Sequence, residues 1–262
     1  MNALAKRWSE EETRLALYLY FQLPFGQLHS GNAEIKKLAA LLGRSSSSIS
    51  MKLCNFASLD PKIIDSGRKG LQSTSALDRR IWADFTGDWT NQVLKSELTW
   101  RAADRLDSES IARDNVLPFK YEPYDGPSIS ELTIERRVGQ GFFRRAVLAN
   151  FENRCCITGI AEPSLLNASH IMPWGCDEKN RHNPANGLCL SATLDRAFDR
   201  GLITLDTSQK VVISTTLMNH LNSDTRTYFA MYQGRAIFPA SRFNPNPDFL
   251  IWHNQTVFVD MQ

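Results

Sequence analysis

The chain has 262 residues, of which 42% are hydrophobic and 22% charged, with a formal charge of +2. It is long enough for one large domain or two small ones, its balance is ordinary for a soluble globular protein, and no apolar run is long enough to span a membrane. The near-neutral charge gives no bulk support to nucleic-acid binding, so that case rests on local clusters such as Arg136, Arg137, Arg144 and Arg145.

The start, MNALAKRWSEEE, lacks the apolar core of a secretory signal, and a cytoplasmic location is expected. Residues 8 to about 58 read as three helices. Ser9 and Glu12 fit a capping box, followed by Leu15, Leu19 and Leu23 at helical spacing, with Pro24 and Gly26 closing the segment. A second helix fits Ala33 to Leu42, stopped by Gly43. A serine run then leads into Ile49, Leu53 and Phe56. Helix, tight glycine turn, helix is a helix-turn-helix pattern. The stretch LAALLGRSSSSISMKLCNF resembles the helix-turn-helix of Myb-like and bacterial regulator domains, and RWSEEE resembles the first helix of a Myb-like domain. That resemblance implies a recognition helix from about Ser46 to Phe56, with Ser47, Ser48, Lys52 and Asn55 as DNA contacts. A helical packing or dimerisation module is the plain alternative.

Residues 60 to 73 read as a loop, and Ala76 to about Leu106 as a helical connector rich in Trp and Leu. Residues 107 to 131, with PFKYEPYDGPSIS, mark a boundary. Beyond it, ERRVGQGFFRRAVLANF reads as an amphipathic helix with Phe143, Val147 and Phe151 inward. Cys155 to Thr158 and Leu165 to Ile171 read as short strands, Asn183 to Gly187 as loop, and Leu194 to Arg200 as a short helix. Leu202 to Leu205 with Val211 to Ser214 suggests a hairpin. Five cysteines without a C-x-x-C pair argue for buried thiols in a reducing compartment, with neither a disulfide framework nor a structural zinc expected.

Residues 155 to 206 hold the densest chemistry. His170 ends a short apolar segment, Asn186 lies in a Pro/Asn/Gly-rich loop, and a polar helix follows with Asp195 and Asp199. Hydrolysis of a phosphodiester needs a base for water and a cation for the phosphate charge. A neutral imidazole suits the first role, an amide that holds two backbone groups suits loop bracing, and carboxylates suit a hard divalent ion.

The motifs CCITG, ASHIMPW, NPANGLCL and DRAFDRGL, led by VGQGFFR and closed by FLIWHNQTVF, resemble the HNH endonuclease family, in particular its restriction-endonuclease-like subgroup. The resemblance covers residues 133 to 262. It implies a ββα-metal fold, His170 as general base and Asn186 as the second motif residue, and it places His253 beside an apolar strand. The family's helix carries a metal-binding histidine where this chain has Asp195, and an acidic or histidine ligand where it has Ser169. Three outcomes stay open: Asp195 holds the ion with help from Asp199 or His253, the ion is weakly held, or the site has drifted and is inactive. His182 and Asn183 are expected to be exposed, and Gln140 and Arg144 to reach the DNA backbone or brace the motif.

The reading is an α+β protein: a helix-turn-helix-like DNA-binding domain over 1–60, a helical connector and linker over 61–131, and an HNH nuclease domain over 132–262. The expected function is a restriction or defence-type DNA endonuclease dependent on Mg2+ or Mn2+. One site cuts one strand, so a double-strand cut would need two events or a homodimer. The alternative is a non-catalytic DNA-binding regulator with a degenerate HNH domain. A third idea gives the N-terminal module a protein or a nucleotide signal to bind.

Overall fold

The computed structural model describes residues 7–67, 70–71, 74–108, 131–220 and 222–258; within these, the side chains of 105–108, 131–138 and 220 are not described. The boundary segment PFKYEPYDGPSIS and the side chains of Arg136 and Arg137 therefore lie outside the described residues.

Helix α1 (Glu10–Gln22) starts with the expected capping box: the Ser9 hydroxyl accepts from the Glu12 N–H at 3.1 Å and the Glu12 carboxylate accepts from the Ser9 N–H at 2.9 Å. The helix is buried along most of its length, from Leu15 to Phe21, because it is the centre of a helical core. α2 (Ala33–Leu42) is capped by Asn32 and stopped by Gly43 at φ +58. α3 (Ser46–Ala57) follows a Ser45 cap. Two helices joined across the Gly43 turn are thus present. The loop expected over 60–73 contains a short helix, α4 (Pro61–Asp65), set up by an Asp60 cap and Pro61 in the first turn. The connector is two helices, α5 (Ala76–Gly87) and α6 (Trp89–Ser108), broken at Asp88. Both pack on α1 and share its core through Ile81, Phe85, Trp89 and Val93.

α7 (Glu131–Asn150) belongs to two cores at once. Phe142 and Ala146 enter the helical core, whereas Phe143, Val147 and Phe151, the residue just past its end, enter a second core built from the rest of the chain. This second core surrounds two antiparallel pairs, β1 (Leu166–His170) with β2 (Gly187–Ser191), and β3 (Ile203–Leu205) with β4 (Val211–Ile213). Around them lie α8 (Ala192–Asp199), α9 (Thr215–His220), α10 (Ser223–Ala230) and α11 (Pro247–Thr256). The architecture is α+β, helix-rich with small antiparallel sheets, and none of the described helices is long and apolar enough to cross a membrane.

One expectation for this half is corrected. Cys155 to Thr158 is a tight turn: Gly159 N–H returns to the Cys155 carbonyl at 2.9 Å and Gly159 takes φ +78. The Cys156 N–H still bonds the Cys189 carbonyl on β2, which explains why the segment looked like a strand. The closing FLIWHNQTVF is mostly helix α11, started by an Asn246 cap and Pro247. His253 does sit beside the apolar strand β3, but from a helix.

The two cores are also joined by the segment at Arg242. Its guanidinium donates to the Tyr20 carbonyl at 2.5 Å, in the last turn of α1, and to the carbonyl of the α1 cap, Leu23, at 2.6 Å. Asn150 at the end of α7 takes the Arg242 and Phe243 N–H groups and donates to the Phe243 carbonyl. Of the cysteines, Cys155, Cys156 and Cys189 are buried thiols, Cys54 is half-buried and Cys176 is exposed.

Candidate active site

β1, β2 and α8 form a ββα unit, with α8 against both strands. His170 ends β1 opposite Gly187, the first residue of β2. Gly187 is required by close approach: a Cβ there would lie 2.3 Å from Val147 Cγ2 and 2.8 Å from the Phe143 ring. With no side chain at that point α7 can press onto the sheet, and Phe143 stacks flat on the His170 imidazole at 3.7 Å between centroids.

The stacked ring is fixed in its plane by one hydrogen bond. His170 Nε2 lies 2.9 Å from the Arg181 carbonyl. A carbonyl only accepts, so Nε2 carries the proton and Nδ1 keeps the lone pair. Among the described residues Nδ1 has no hydrogen-bond partner, and it is not sealed from solvent. Burial lowers the His170 pKa, with a smaller opposing effect from the Arg181 carbonyl. The ring is neutral at pH 7 and presents a basic nitrogen.

Asn186 is buried and braces the loop that supplies this carbonyl. Its side-chain oxygen accepts from the Met172 N–H at 2.8 Å, and its amide nitrogen donates to the Met172 carbonyl at 3.0 Å and the Asn180 carbonyl at 3.3 Å. The amide closes the loop across both ends, as its donor and acceptor inventory allows.

Asp195 and Asp199 lie one turn apart on α8 and meet the other face of β1. Asn167 donates to Asp195 at 2.7 Å, and Ser169 donates to Asp199 at 3.4 Å. Burial raises the Asp199 pKa first, and the Asp195 charge raises it further, against the Ser169 hydrogen bond and Arg196. Two repelling carboxylates beside a hydroxyl offer hard oxygen donors, chemically suited to Mg2+ or Mn2+, while the Asn167 amide turns its nitrogen to Asp195. Among the described residues no three His, Cys, Asp or Glu side chains converge, so neutral oxygens, water or phosphate must complete any such coordination.

His253 does not join this face. Its ring is buried and stacked on Phe198 at 3.9 Å, with Nε2 3.3 Å from the Phe198 carbonyl and Nδ1 2.8 Å from the Thr204 hydroxyl. Both nitrogens are engaged inside the core, which corrects the expectation of a metal ligand. His182 is also corrected: it is buried, held by Thr90 and packed edge-on against Trp174. Asn183 is half-buried and caps the turn leading to Asn186. Burial, then the nearby His170 and Arg181, bring His182 down to about 4.

Among the expected DNA contacts, Ser47 is exposed and Ser48 half-buried. Asn55 is half-buried with its side-chain oxygen sealed. Lys52 is corrected: it is buried, 2.7 Å from Asp78 and under the Trp8 ring, so its charge is already spent inside the fold. Gln140 is exposed, and Arg144 donates to the Pro163 carbonyl at 3.2 Å.

Sequence reasoning missed Asn167, the Arg181 carbonyl and Thr90. Asn167 was findable, since it lies two residues before Ser169 and so on the same strand face. The other two depend on long-range packing and leave no local signal.

A search against curated proteins finds no match to the chain. The family model of HNH endonuclease matches residues 155–206, the segment from the Cys155 turn through β1, the braced loop, β2, α8 and β3, and this similarity points to a nuclease.

Proposed function

We propose that the chain is a DNA endonuclease that hydrolyses phosphodiester bonds with the help of Mg2+ or Mn2+, in a restriction or defence role. The observation that carries the reading is the His170 geometry: a neutral ring, protonated on Nε2 by its bond to the Arg181 carbonyl, whose Nδ1 has no partner among the described residues, at the end of the strand whose other face meets the carboxylate-bearing helix. His170 Nδ1 takes the proton of the attacking water. Phe143 and the Arg181 carbonyl hold the ring so that the lone pair points one way, and Asn186 keeps the carbonyl in place. Asp195 and Asp199, with Ser169, would hold the cation, and Asn167 would orient the Asp195 carboxylate. A bound divalent ion supplies Lewis-acid stabilisation of charge on the phosphate and the leaving oxygen. The helical half presents DNA through the exposed start of α3, around Ser47 and Ser48, and Gln140 and Arg144 reach the DNA backbone. A single site cuts one strand, and a homodimer would supply the second.

The test is plasmid cleavage in Mg2+ and in Mn2+. Wild type is expected to nick or linearise the plasmid, and His170→Ala to lose at least about 100-fold in rate, the scale of a lost general base. No cutting by wild type with either metal overturns the reading. That result would favour a second one, a DNA-binding regulator with a degenerate HNH domain, which the absence of three converging ligands among the described residues supports.

A further inference from the structure

The base proposed above depends on a carbonyl, and that carbonyl belongs to a loop held from three directions. Asn186 holds Met172 and Asn180 from inside the ββα unit. Asp177 accepts from the Lys179 and Asn180 N–H groups and the Asn180 amide within the loop itself. The third hold comes from the helical half. Thr90, in the first turn of α6, donates to the Glu178 carbonyl at 2.7 Å and lies 3.2 Å from the Lys179 carbonyl. The same hydroxyl oxygen faces His182 Nδ1 at 3.2 Å. A hydroxyl has one proton and two lone pairs. Its proton is committed to the carbonyls, so it accepts the Nδ1 proton of His182. Thr90 therefore grips the chain on both sides of Arg181: Glu178 and Lys179 before it, His182 after it.

We propose that Thr90 is a positioning residue for His170: it is the clasp through which the helical half sets the Arg181 carbonyl and, through it, the orientation and tautomer of the base. The proposal rests on His170 being that base. No other hydrogen bond of the described residues ties α6 to this loop. Trp89 and Val93, on either side of Thr90 along α6, lie in the same core as α1. A shift of α6 on DNA would thus reach the Arg181 carbonyl through this side chain, alongside the direct stack of Phe143 from α7 on His170.

Thr90→Val keeps the volume and removes the hydroxyl, and Thr90→Ser keeps the hydroxyl. In plasmid cleavage at saturating metal, Thr90→Val is expected to lower kcat roughly tenfold with KM nearly unchanged, as for a misplaced catalytic group, and Thr90→Ser to restore most of it. Long-range 1H–15N correlation of the His170 ring reads the clasp without activity: wild type and Thr90→Ser should show the Nε2–H tautomer, and Thr90→Val a mixture. Circular dichroism confirms that each variant is folded. If wild type cuts DNA and Thr90→Val matches it in kcat and tautomer, the clasp is wrong while the nuclease reading stands. If wild type never cuts, that reading falls, and the tautomer comparison alone decides the clasp.

Discussion

Asn186 shows how far one side chain can be read in advance. An amide offers a donor and an acceptor, and a loop rich in Pro, Asn and Gly needs both, so the bracing role was legible from residue type and place. The structure supplies the partners, Met172 and Asn180. Replacing Asn186 by alanine leaves the Met172 N–H and carbonyl without partners and takes one of two donors from the Asn180 carbonyl. The expected cost is about 2–3 kcal/mol of stability, together with a loss of turnover larger than any change in KM, because the Arg181 carbonyl loses its footing. Urea unfolding and cleavage kinetics check both; a variant of native stability and rate would remove Asn186 from the role. The residues that sequence misplaced are those whose partners lie far away in the chain. His182 is buried by Thr90 and Trp174, Lys52 by Asp78, and His253 by Thr204 and Phe198. A histidine or lysine has no local mark that distinguishes an exposed ligand from a satisfied core group.

Elements were more legible than contacts where caps and periodicity agreed, as in α1, α2 and α3, and less so where a turn imitated a strand at Cys155. What sequence did not disclose is that α7 serves two cores. Its glycines carry part of that double duty. A Cβ on Gly139 would fall 1.6 Å from His182 Nε2, so the helix and the loop touch there without any side chain between them. Helix propensity alone makes Gly139→Ala stabilising by about 1 kcal/mol. The close approach has the opposite sign, and His182 cannot retreat because Thr90 and Trp174 hold its other sides. Overpacking of this kind costs about 1–3 kcal/mol or more, so net destabilisation is expected. A urea midpoint for Gly139→Ala at or above that of wild type would mean that α7 and the loop are not packed as described. The same variant should slow cleavage, since displacing His182 pulls on the neighbouring Arg181.

At the scale of the whole molecule, the two halves are bound by shared groups: α7, the Arg242 contacts to the end of α1, and the Thr90 clasp. Two of the histidines in this arrangement are buried neutral. Desolvation brings His182 and His253 each down to about 4. Their unfolded value is near 6.5. Above that pH both states are uncharged at these sites, and their contribution to stability is complete. As pH falls from 6.5 towards 4, the unfolded chain takes up protons that the native state refuses, and stability is lost. A shift of this size corresponds to about 3 kcal/mol for each histidine across that window. The urea midpoint of wild type should therefore fall steeply between pH 6.5 and 4.5. His253→Gln should be less stable at pH 7.5, where it loses the stack on Phe198, yet show a shallower fall with pH. His182 and His253 sit on different sides of the ββα unit, one against α6 and α7 and the other between α8, α11 and β3, so their contributions are expected to add. A double glutamine variant whose midpoint still falls as steeply as wild type would show that other groups, and not these two buried rings, set the acid limit of the fold.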